Sequence, residues 1–446
     1  MFFQKFVASY RRLHPTERRT VFYDTLRQGV EGGGESLASI IFLYIAIEVF
    51  QLPGEQKALL VASRAIGFCL APFLPMLFSY SRLRRSSLAA CCNIFSGIFL
   101  LLAGISVYPL NYTIYCSLFI IFLCIKVPLF SQIYRENYQS SRRGKLFSLG
   151  GTLRNVSSLL LNLLAGLVID MGPENYHQVF IIYAGFILLS GIITFFIPSQ
   201  RFCDSYLNGR QNYLTAPSGP NSGRKRLQFW RQVGQNFTLV LRDRLFLYIC
   251  FAWYLLGFGN LALIPMRVEF LRNQGENGLV FGALSLVLIL QVIPGIVRII
   301  GTLGGGKLFD HIPLLHFRIL TNILFILATI LFFQFDNWAV LVAGVAVLGL
   351  AETGGQFIWN LWITHLAPKK EYVERYMGVH VFLNGTRGLL GPFVSYALLD
   401  SNWSLHFGGI QIEGIRGLSW LSIALMSLST LLFASMAGNP RINRRA

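Results

Sequence analysis

The chain has 446 residues, of which 54% are hydrophobic and only 13% are charged, whereas a soluble globular domain typically carries about 25% charged residues. This composition excludes an ordinary soluble protein and predicts an integral membrane protein. The net charge of +18 does not indicate a nucleic-acid partner, because the basic residues lie between long apolar segments.

Twelve apolar segments are long enough to cross a bilayer as helices, since a span needs about 20 mostly apolar residues. We predict them at Phe22–Phe50, Lys57–Tyr80, Ser87–Val107, Thr113–Tyr134, Leu146–Ile169, Val179–Ile197, Leu245–Val268, Leu279–Leu303, Phe317–Phe335, Ala339–Leu366, Gly378–Leu399 and Leu418–Ala437. Continuous runs of this length favour helices over a barrel, whose strands would be short and alternate in polarity.

The distribution of Lys and Arg predicts the orientation of these segments, because cytoplasmic loops carry an excess of both residues. With the N-terminus in the cytoplasm, 28 of the 38 basic residues fall in cytoplasmic segments and only 4 in outer loops. The other 6 lie within spans. We therefore predict that both termini are cytoplasmic and that the protein lies in the inner or plasma membrane of the cell.

The most polar stretch of the chain, residues 198–244, lies at its middle and contains eight basic residues. It is rich in Asn, Gly, Ser and Pro and cannot bury enough apolar surface to fold alone, so we predict a solvated cytoplasmic linker. Its last part, Leu227–Leu241, is predicted to form a short helix on the membrane surface. The linker separates an N-terminal six-helix half, residues 1–197, from a C-terminal six-helix half, residues 245–446.

A short motif follows the eighth apolar segment, where Gly306–His311 reads Gly-Lys-Leu-Phe-Asp-His. It resembles the start of the loop motif G-x-x-x-D-[R/K] of the major facilitator superfamily, which recurs between helices two and three and between helices eight and nine. The corresponding stretch of the first half, residues 77–85, keeps the basic residues but lacks the Gly and the Asp. Six plus six helices with cytoplasmic termini and a long basic central loop also resemble this family.

The resemblance implies an all-α membrane protein with twelve transmembrane helices in two pseudo-symmetric six-helix halves. It further implies alternating access, in which the two half-bundles rock around a binding site near the bilayer midplane.

The first apolar segment carries a polar stripe. At 100° per residue, its polar side chains point within about 60° of one direction, and they are Asp24, Arg27, Gln28, Glu31, Glu35 and Ser39. Glu31 and Glu35 are i,i+4 neighbours whose repulsion favours a proton on one of them, so we interpret both as substrate- or proton-binding. The alternative is that Asp24 and Arg27 merely lie at the membrane interface. The Gly32–Gly34 run predicts close approach of another helix or a local kink.

The tenth segment carries Glu352, Gln356 and Asn360 at intervals of four residues, with Trp359 alongside. An acid, two amides and an aromatic ring on one helix face are what a polar ligand needs for hydrogen bonds and stacking. We interpret Glu352, Gln356 and Asn360 as substrate-binding. The alternative is hydrogen-bonded packing between helices.

Two basic residues lie deep within predicted spans, where a charge costs about 2.5–3.5 kcal/mol on insertion scales. Lys126 lies about 15 Å of helix from the cytoplasmic end of the fourth span, too deep for its ammonium to reach the interface easily. It either faces a cavity or forms an internal ion pair with a Glu of the first span. Arg298 shares a face with Gln291 and Thr302 and is interpreted as a second cavity cation.

Three further charges are interpreted as structural or gating residues. Asp310 belongs to the loop motif. Arg154 and Arg387 are the last residues of two similar sequences, Gly-Thr-Leu-Arg and Gly-Thr-Arg. Bracing of the bundle is at least as good an explanation for the two arginines as ligand binding. In the seventh segment Asn260 and Pro265 suggest a break in the helix that could serve as a gate.

No catalytic signature, cofactor site or metal site is predicted. Six of the seven cysteines lie in apolar segments without metal-ligand or disulfide spacing. The run Gly304–Gly306 follows a membrane helix rather than a strand, so it does not satisfy the context of a phosphate-binding loop.

These observations predict a monomeric secondary active transporter, not an enzyme, that moves a small polar or anionic solute in symport with protons. We expect Glu35 and Glu352 to share a central cavity with Lys126 and Arg298. Multidrug or metabolite efflux is the first alternative, although the charged interior argues against a pore meant only for apolar drugs. A lipid flippase, or a non-transporting scaffold that binds a partner through the central loop, is the second.

Overall fold

The computed structural model describes residues 13–37, 40–71, 73–74, 78, 82–139, 143–202, 242–273, 281–301, 312–366, 373–401, 403–407 and 410–439. The chain divides into two compact units, Met1–Ala216 with Gly282–Val287, and Pro217–Phe281 with Leu288–Ala446. The domain boundaries that the sequence predicts stay predictions. The predicted surface helix Leu227–Leu241 lies outside the described residues.

The first unit is built from long helices that pack side by side. They are α1 Pro15–Leu37, α2 Ile41–Glu48, α3 Gly54–Leu70, α4 Arg85–Gly104, α5 Pro109–Ile125, α6 Val127–Asn137, α7 Arg143–Asp170 and α8 Tyr176–Phe195. Helix α4 packs against α5 and α8, while α1 packs along α7 and α8. The inner face of α1 is therefore enclosed by its neighbours within the unit.

The second unit has a similar series of helices and one short hairpin. Its helices are α9 Arg244–Asn273, α11 Leu314–Phe333, α12 Trp338–Leu366, α13 Val373–Asp400 and α14 Gly414–Ser435. Helix α9 packs against α13 and α14, and α11 packs against α12 and α14. The eighth apolar segment begins as α10, Ala283–Val287, which is grouped with the first unit.

Among the described residues, nine helices are long and apolar enough to cross a membrane. Each of the twelve predicted segments lies on at least one of the helices α1–α14. The helices of the first, second and eleventh segments fall outside the nine. Helix α3 is only 17 residues long, and α1 carries the polar stripe, which lowers its hydropathy.

The first predicted span is wrong as a single helix. Helix α1 begins at Pro15 rather than Phe22 and ends at Leu37, and the separate helix α2 follows. The early start has a local cause, since Pro is favoured in the first turn of a helix and Glu17 there complements the helix dipole.

The fourth predicted span, Thr113–Tyr134, lies within one candidate membrane span, Pro109–Asn137, but its helix is interrupted. Helix α5 ends at Ile125, Lys126 lies in the junction, and α6 begins at Val127. Pro128 has no N–H and so cannot bond to the carbonyl of Cys124 four residues earlier, which interrupts the ladder at this point. Lys126 is therefore the cap of both helices rather than a residue of a regular helix.

A π-helical turn interrupts the eighth segment at Leu288–Val292, and the helix then continues to Gly301. Pro294 explains it, because a residue without an N–H leaves the carbonyl of Leu290 without its α-helical partner. The break expected near Pro265 is wrong, since α9 contains Pro265 in its interior and runs on to Asn273.

The glycine run of α1 allows the close helix approach that the sequence predicts. A Cβ at Gly32 would lie 2.4 Å from the carbonyl oxygen of Arg154, so α1 and α7 touch backbone to backbone there. A Cβ at Gly34 would lie 2.7 Å from a side-chain carbon of Ile187 in α8. The contact at Gly32 requires glycine, because it is made with the backbone of Arg154, whereas at Gly34 the terminal carbon of the Ile187 side chain would have to move.

Two features near chain connections were not predicted. A hairpin of β1 Ser404–Phe407 and β2 Ile410–Glu413 precedes α14. The start of the predicted linker packs against the first unit, where Arg84 and Arg201 form an antiparallel bridge. The backbone N–H of Ser86 donates to the Ser199 hydroxyl at 3.0 Å.

Candidate functional site

The polar stripe of α1 lies buried inside the first unit. Asp24, Arg27 and Glu31 are between 2% and 5% exposed. The Arg27 guanidinium binds both acids, with Nη2 2.7 Å from Asp24 Oδ1 and Nη1 2.6 Å from Glu31 Oε2. It also lies 3.9 Å from the ring centroid of Phe130 in α6. One arginine thus joins the two carboxylates and is covered by an aromatic ring.

Lys126 extends this cluster from the junction of α5 and α6. Its ammonium lies 2.5 Å from Glu31 Oε1 and is 4% exposed as a side chain. It also donates to the amide oxygen of Asn93 in α4. Lys126 therefore forms the internal ion pair with a first-span Glu that the sequence left open as an alternative to a cavity-facing cation.

Neutral side chains complete the hydrogen bonds of the cluster. Asn93 Nδ2 donates to Ser190 Oγ at 3.0 Å, and Ser190 Oγ donates to Glu31 Oε2 at 3.2 Å. The Tyr134 hydroxyl donates to Asp24 Oδ1 at 2.9 Å, and Gln28 Nε2 donates to Asp24 Oδ2 at 2.7 Å. We call Asp24, Arg27, Glu31, Asn93, Lys126, Tyr134 and Ser190 the first-unit cluster.

Two carboxylates and two cations of the first-unit cluster bond directly to one another. Buried charges of this kind are tolerated only when they are paired and hydrogen-bonded. Arg154 of α7 is close enough to Glu31 for electrostatic attraction. The side chain of Glu35 lies outside the described residues, so the expected contact of Glu35 with a cation stays a prediction.

Asn93, Tyr134 and Ser190 were missed by the sequence analysis. A lone Asn in the middle of the apolar run of α4 was the available signal, since a polar side chain within a span needs a partner. Which partner it finds depends on the packing of α4 against α5 and α8.

In the second unit the structure brings together two of the predicted site residues. Arg298 Nη2 lies 2.9 Å from Glu352 Oε2, and the side chains are 37% and 32% exposed. Arg267 is electrostatically attracted to the same carboxylate, and its Nη2 donates to Asn260 Oδ1 at 2.9 Å. This pair is far more open than the one between Lys126 and Glu31.

Arg267 is one of the four basic residues counted in outer loops, although it also falls at the end of the seventh predicted span, Leu245–Val268. It lies within α9 and is 9% exposed. Gln356 and Asn360 continue the face of Glu352 along α12, but their side chains lie outside the described residues, and so does Asp310.

Arg387 of α13 is held by neutral groups. Its Nε donates to Asn384 Oδ1 and its Nη1 donates to the carbonyl oxygen of Trp253, both at 2.8 Å. A Cβ at Gly257 would lie 2.1 Å from the guanidinium carbon of Arg387. The absence of a side chain at Gly257 therefore makes room for the guanidinium against the backbone of α9.

Arg318 is one of the 28 basic residues counted as cytoplasmic, although the ninth predicted span begins at Phe317, and the structure places it inside the second unit. It lies in α11 and is 2% exposed. Its guanidinium carbon lies 4.2 Å from the ring centroid of Trp253 and 5.5 Å from that of Phe433. Its position four residues before Asn322, itself fully buried, was the signal in the sequence, since the two share a helix face.

Apolar helices that enclose paired and hydrogen-bonded charges define a multi-pass membrane protein of the transporter class. The model of the Major Facilitator Superfamily matches residues 28–392. The chain therefore belongs to the Major Facilitator Superfamily. It is a secondary transporter with a small-molecule substrate, not an enzyme, and it resides in the lipid bilayer.

Several solved structures have a similar fold. One is a point mutant of the nucleoside transporter NupG, with a TM-score of 0.73 and 15% identity, and the match covers 95% of this chain and 100% of that chain. A bacterial homologue of the human lysosomal transporter Spinster, inward-facing and occupied, has a TM-score of 0.64, 13% identity and coverage of 95% and 97%. A D-xylose-proton symporter has a TM-score of 0.62, 18% identity and coverage of 93% and 96%.

At these identities the likeness to solved structures establishes the fold alone. A comparison with curated protein sequences finds no match. The family match and the solved structures of similar fold confirm the predicted all-α architecture of the superfamily.

Proposed function

We propose that this transporter moves a small polar or anionic solute in symport with protons by alternating access. The observation that carries the proposal is the pair of Arg298 and Glu352. Its ion pair is formed at 2.9 Å, yet about a third of each side chain is exposed. Because this ion pair is partly exposed, its cation is accessible to a ligand and its carboxylate is accessible to a proton.

The surroundings of this pair suit a polar ligand. Arg298 presents a planar fork of donors that matches a carboxylate or phosphate. Arg267 and Asn260 add a cation and an amide nearby. An exclusively apolar substrate would leave these groups desolvated and unpaired, which is costly.

Proton coupling follows from competition for Arg298. Glu352 and the anionic group of a substrate compete for the Arg298 guanidinium, which lies 2.9 Å from Glu352 Oε2. When the substrate takes the guanidinium, a proton on Glu352 replaces the lost partner, so that no unpaired carboxylate remains in the membrane. The proton and the substrate then promote each other's binding by the same factor, which is symport through thermodynamic linkage.

Glu31 and Lys126 are proposed as a second proton- or substrate-sensitive pair. In the first-unit cluster Glu31 is bound by Lys126 and by Arg27, so it takes a proton only when one of these contacts opens. Gln356, Asn360 and Glu35 are proposed to line the path as well. Asp310, Arg154 and Arg387 are proposed as structural or gating charges.

The titles of two fold neighbours support this class of activity. One is a nucleoside transporter and another is a D-xylose-proton symporter. A polar solute and a proton as the coupled ion are therefore both compatible with this fold. We further propose a monomer with cytoplasmic termini in the inner or plasma membrane.

The test begins with a substrate. Purified protein is heated with libraries of nucleosides, sugars and organic anions, since a ligand that binds the native state raises the midpoint of unfolding. The best ligand is then used, in radiolabelled form, with protein reconstituted into liposomes. Uptake is measured with and without an inwardly directed proton gradient, and counterflow is measured without a gradient.

Glu352→Gln should abolish uptake driven by the proton gradient while counterflow persists, because the amide cannot release a proton. Arg298→Ala should weaken binding and reduce both. Glu55→Gln is the matched control, since Glu55 is exposed at the start of α3. If Glu352→Gln accumulates substrate with the wild-type dependence on pH, coupling through Glu352 is wrong.

Two other functions make different predictions. An efflux pump should be stabilised by apolar cations in the same screen, and a flippase by phospholipid. A scaffold should fail when residues 203–241 are replaced by a Gly/Ser segment of equal length, whereas a transporter should keep its counterflow activity.

A further inference from the structure

Two buried cations of the second unit have no anionic partner among the described residues. In the part of the chain that the structure describes, the Nε and Nη2 atoms of Arg318 have no hydrogen-bond partner, and its guanidinium lies against the rings of Trp253 and Phe433. Arg387 bonds only to the neutral oxygens of Asn384 and Trp253. Both guanidiniums thus lie within a membrane-spanning unit without a neutralising carboxylate among the described residues.

The two guanidiniums lie close together around one ring. Arg318 and Arg387 are close enough for electrostatic repulsion, and both act on His380 of α13. The His380 ring lies 4.9 Å from the ring of Trp253, and His380 is 3% exposed. Helices α9, α11 and α13 therefore converge on a region that carries positive charge.

Asn322 adds an unused amide to this region. It is fully buried, and neither its Oδ1 nor its Nδ2 has a hydrogen-bond partner within the described ranges. It lies one helical turn after Arg318 in α11, so both side chains project from the same face. Buried amide groups are nearly always hydrogen-bonded, and a buried amide without a partner requires an explanation such as an unrecorded ligand.

In the first unit a buried amide at the same place in its helix is hydrogen-bonded, because side chains of the chain itself supply the opposite charges. Asn93 is the ninth residue of the 20-residue helix α4, and Asn322 is the ninth residue of the 20-residue helix α11. Asn93 bonds to Lys126 and Ser190, and Lys126 is neutralised by Glu31. Asp24, the tenth residue of α1, corresponds to Trp253, the tenth residue of α9.

We propose that Arg318, Asn322 and Arg387, with Trp253 and His380 around them, form a binding site for one small anion. The ligand accepts hydrogen bonds from the free guanidinium nitrogens of Arg318 and from the Asn322 amide. Chloride and inorganic phosphate share this chemistry. This site goes beyond the proposed transport function, since it uses neither Arg298 nor Glu352. A bound anion supplies the negative charge that Asp24 and Glu31 provide in the first unit.

The test measures the unfolding temperature of purified full-length protein in chloride, in inorganic phosphate and in gluconate, at equal ionic strength. Gluconate serves as the bulky control anion. The site predicts a saturable rise of about 5 °C at a chloride or phosphate concentration well above its dissociation constant. The anion that saturates at the lower concentration identifies the preferred ligand. Equal unfolding temperatures in all three salts would overturn the proposal.

Variants separate a site from a general salt effect. Arg318→Met should remove the saturable rise, and Asn322→Ala should raise the half-saturating concentration by about tenfold, since a hydrogen bond to a charged group is lost. Arg244→Met is the matched control, because Arg244 is exposed, and it should keep the rise. If Arg318→Met does not fold, the comparison of Asn322→Ala with the control still tests the site. A rise that is the same in Asn322→Ala as in the control contradicts the site.

One further variant distinguishes this site from the transport site. Arg298→Ala should keep the chloride- or phosphate-dependent rise even if it abolishes transport. If the rise disappears in Arg298→Ala but persists in Arg318→Met, the anion binds beside Glu352 and the present assignment fails.

Discussion

The ammonium of Lys126 lies 2.5 Å from Oε1 of Glu31, and both side chains are almost completely buried. Glu31 receives a second cation, Arg27, on its other oxygen. Breaking a buried pair by removing one partner is strongly destabilising, because the remaining charge stays buried without compensation. Removal of both partners of the Lys126–Glu31 pair should therefore cost less stability than the sum of the two single losses.

Glu31→Gln and Lys126→Met are each expected to lower the free energy of unfolding by about 3–5 kcal/mol. The double variant should lose clearly less than the sum, because Asp24 and Arg27 still neutralise each other once both partners of the other pair are gone. Midpoints of thermal unfolding of the purified variants provide the measurement. Glu55→Gln, an exposed acid, is the control. Strictly additive losses would show that the pair carries no coupling.

Tyr134→Phe is expected to cost about 1 kcal/mol of stability, the usual contribution of a hydrogen bond. The substitution removes the donor that Asp24 accepts at 2.9 Å and keeps the ring that packs in α6. Tyr108→Phe, at a position 67% exposed, should stay within about 0.5 kcal/mol of wild type. Thermal unfolding of both variants is compared in the same detergent. Equal effects of the two substitutions would contradict the contact.

Gly257→Ala should displace the Arg387 guanidinium, because a Cβ there would lie 2.1 Å from its central carbon. The cost of such overpacking is about 1–3 kcal/mol. Gly185→Ala is the control, since no atom lies within 4 Å of its Cβ position, and alanine there gains up to about 1 kcal/mol of helix propensity. The unfolding temperature should therefore fall in the first variant and stay constant or rise in the second. A rise in both would mean that Arg387 moves away freely.

The orientation of the chain is tested by cysteine accessibility in a background without native cysteines. Positions 140 and 220 should react with a membrane-impermeant thiol reagent only after the cytoplasmic side is opened, whereas position 174 should react in intact cells. The reason is the excess of Lys and Arg in the segments predicted to be cytoplasmic. Labelling of position 174 only from the cytoplasmic side would reverse the predicted topology.

Sequence alone determined the class of protein and the approximate place of its long apolar helices. Hydropathy and length are properties of contiguous residues, so they predict helices without knowledge of tertiary contacts. The buried charges of α1 were equally visible, because the helical period places Asp24, Arg27 and Glu31 on one face. Lys126 was recognised as too deep for solvent, and Arg298 and Glu352 were recognised as charges that need partners.

Only the tertiary structure decided which partners these charges have. Lys126 bonds to Glu31 and Asn93, which are 95 and 33 residues away in the chain, and no local pattern records such a distance. The same holds for Arg318, which lies at the start of the ninth predicted span and which packing placed on the ring of Trp253. Periodicity determines which face of a helix is polar, but the neighbour on that face depends on how helices remote in sequence pack together.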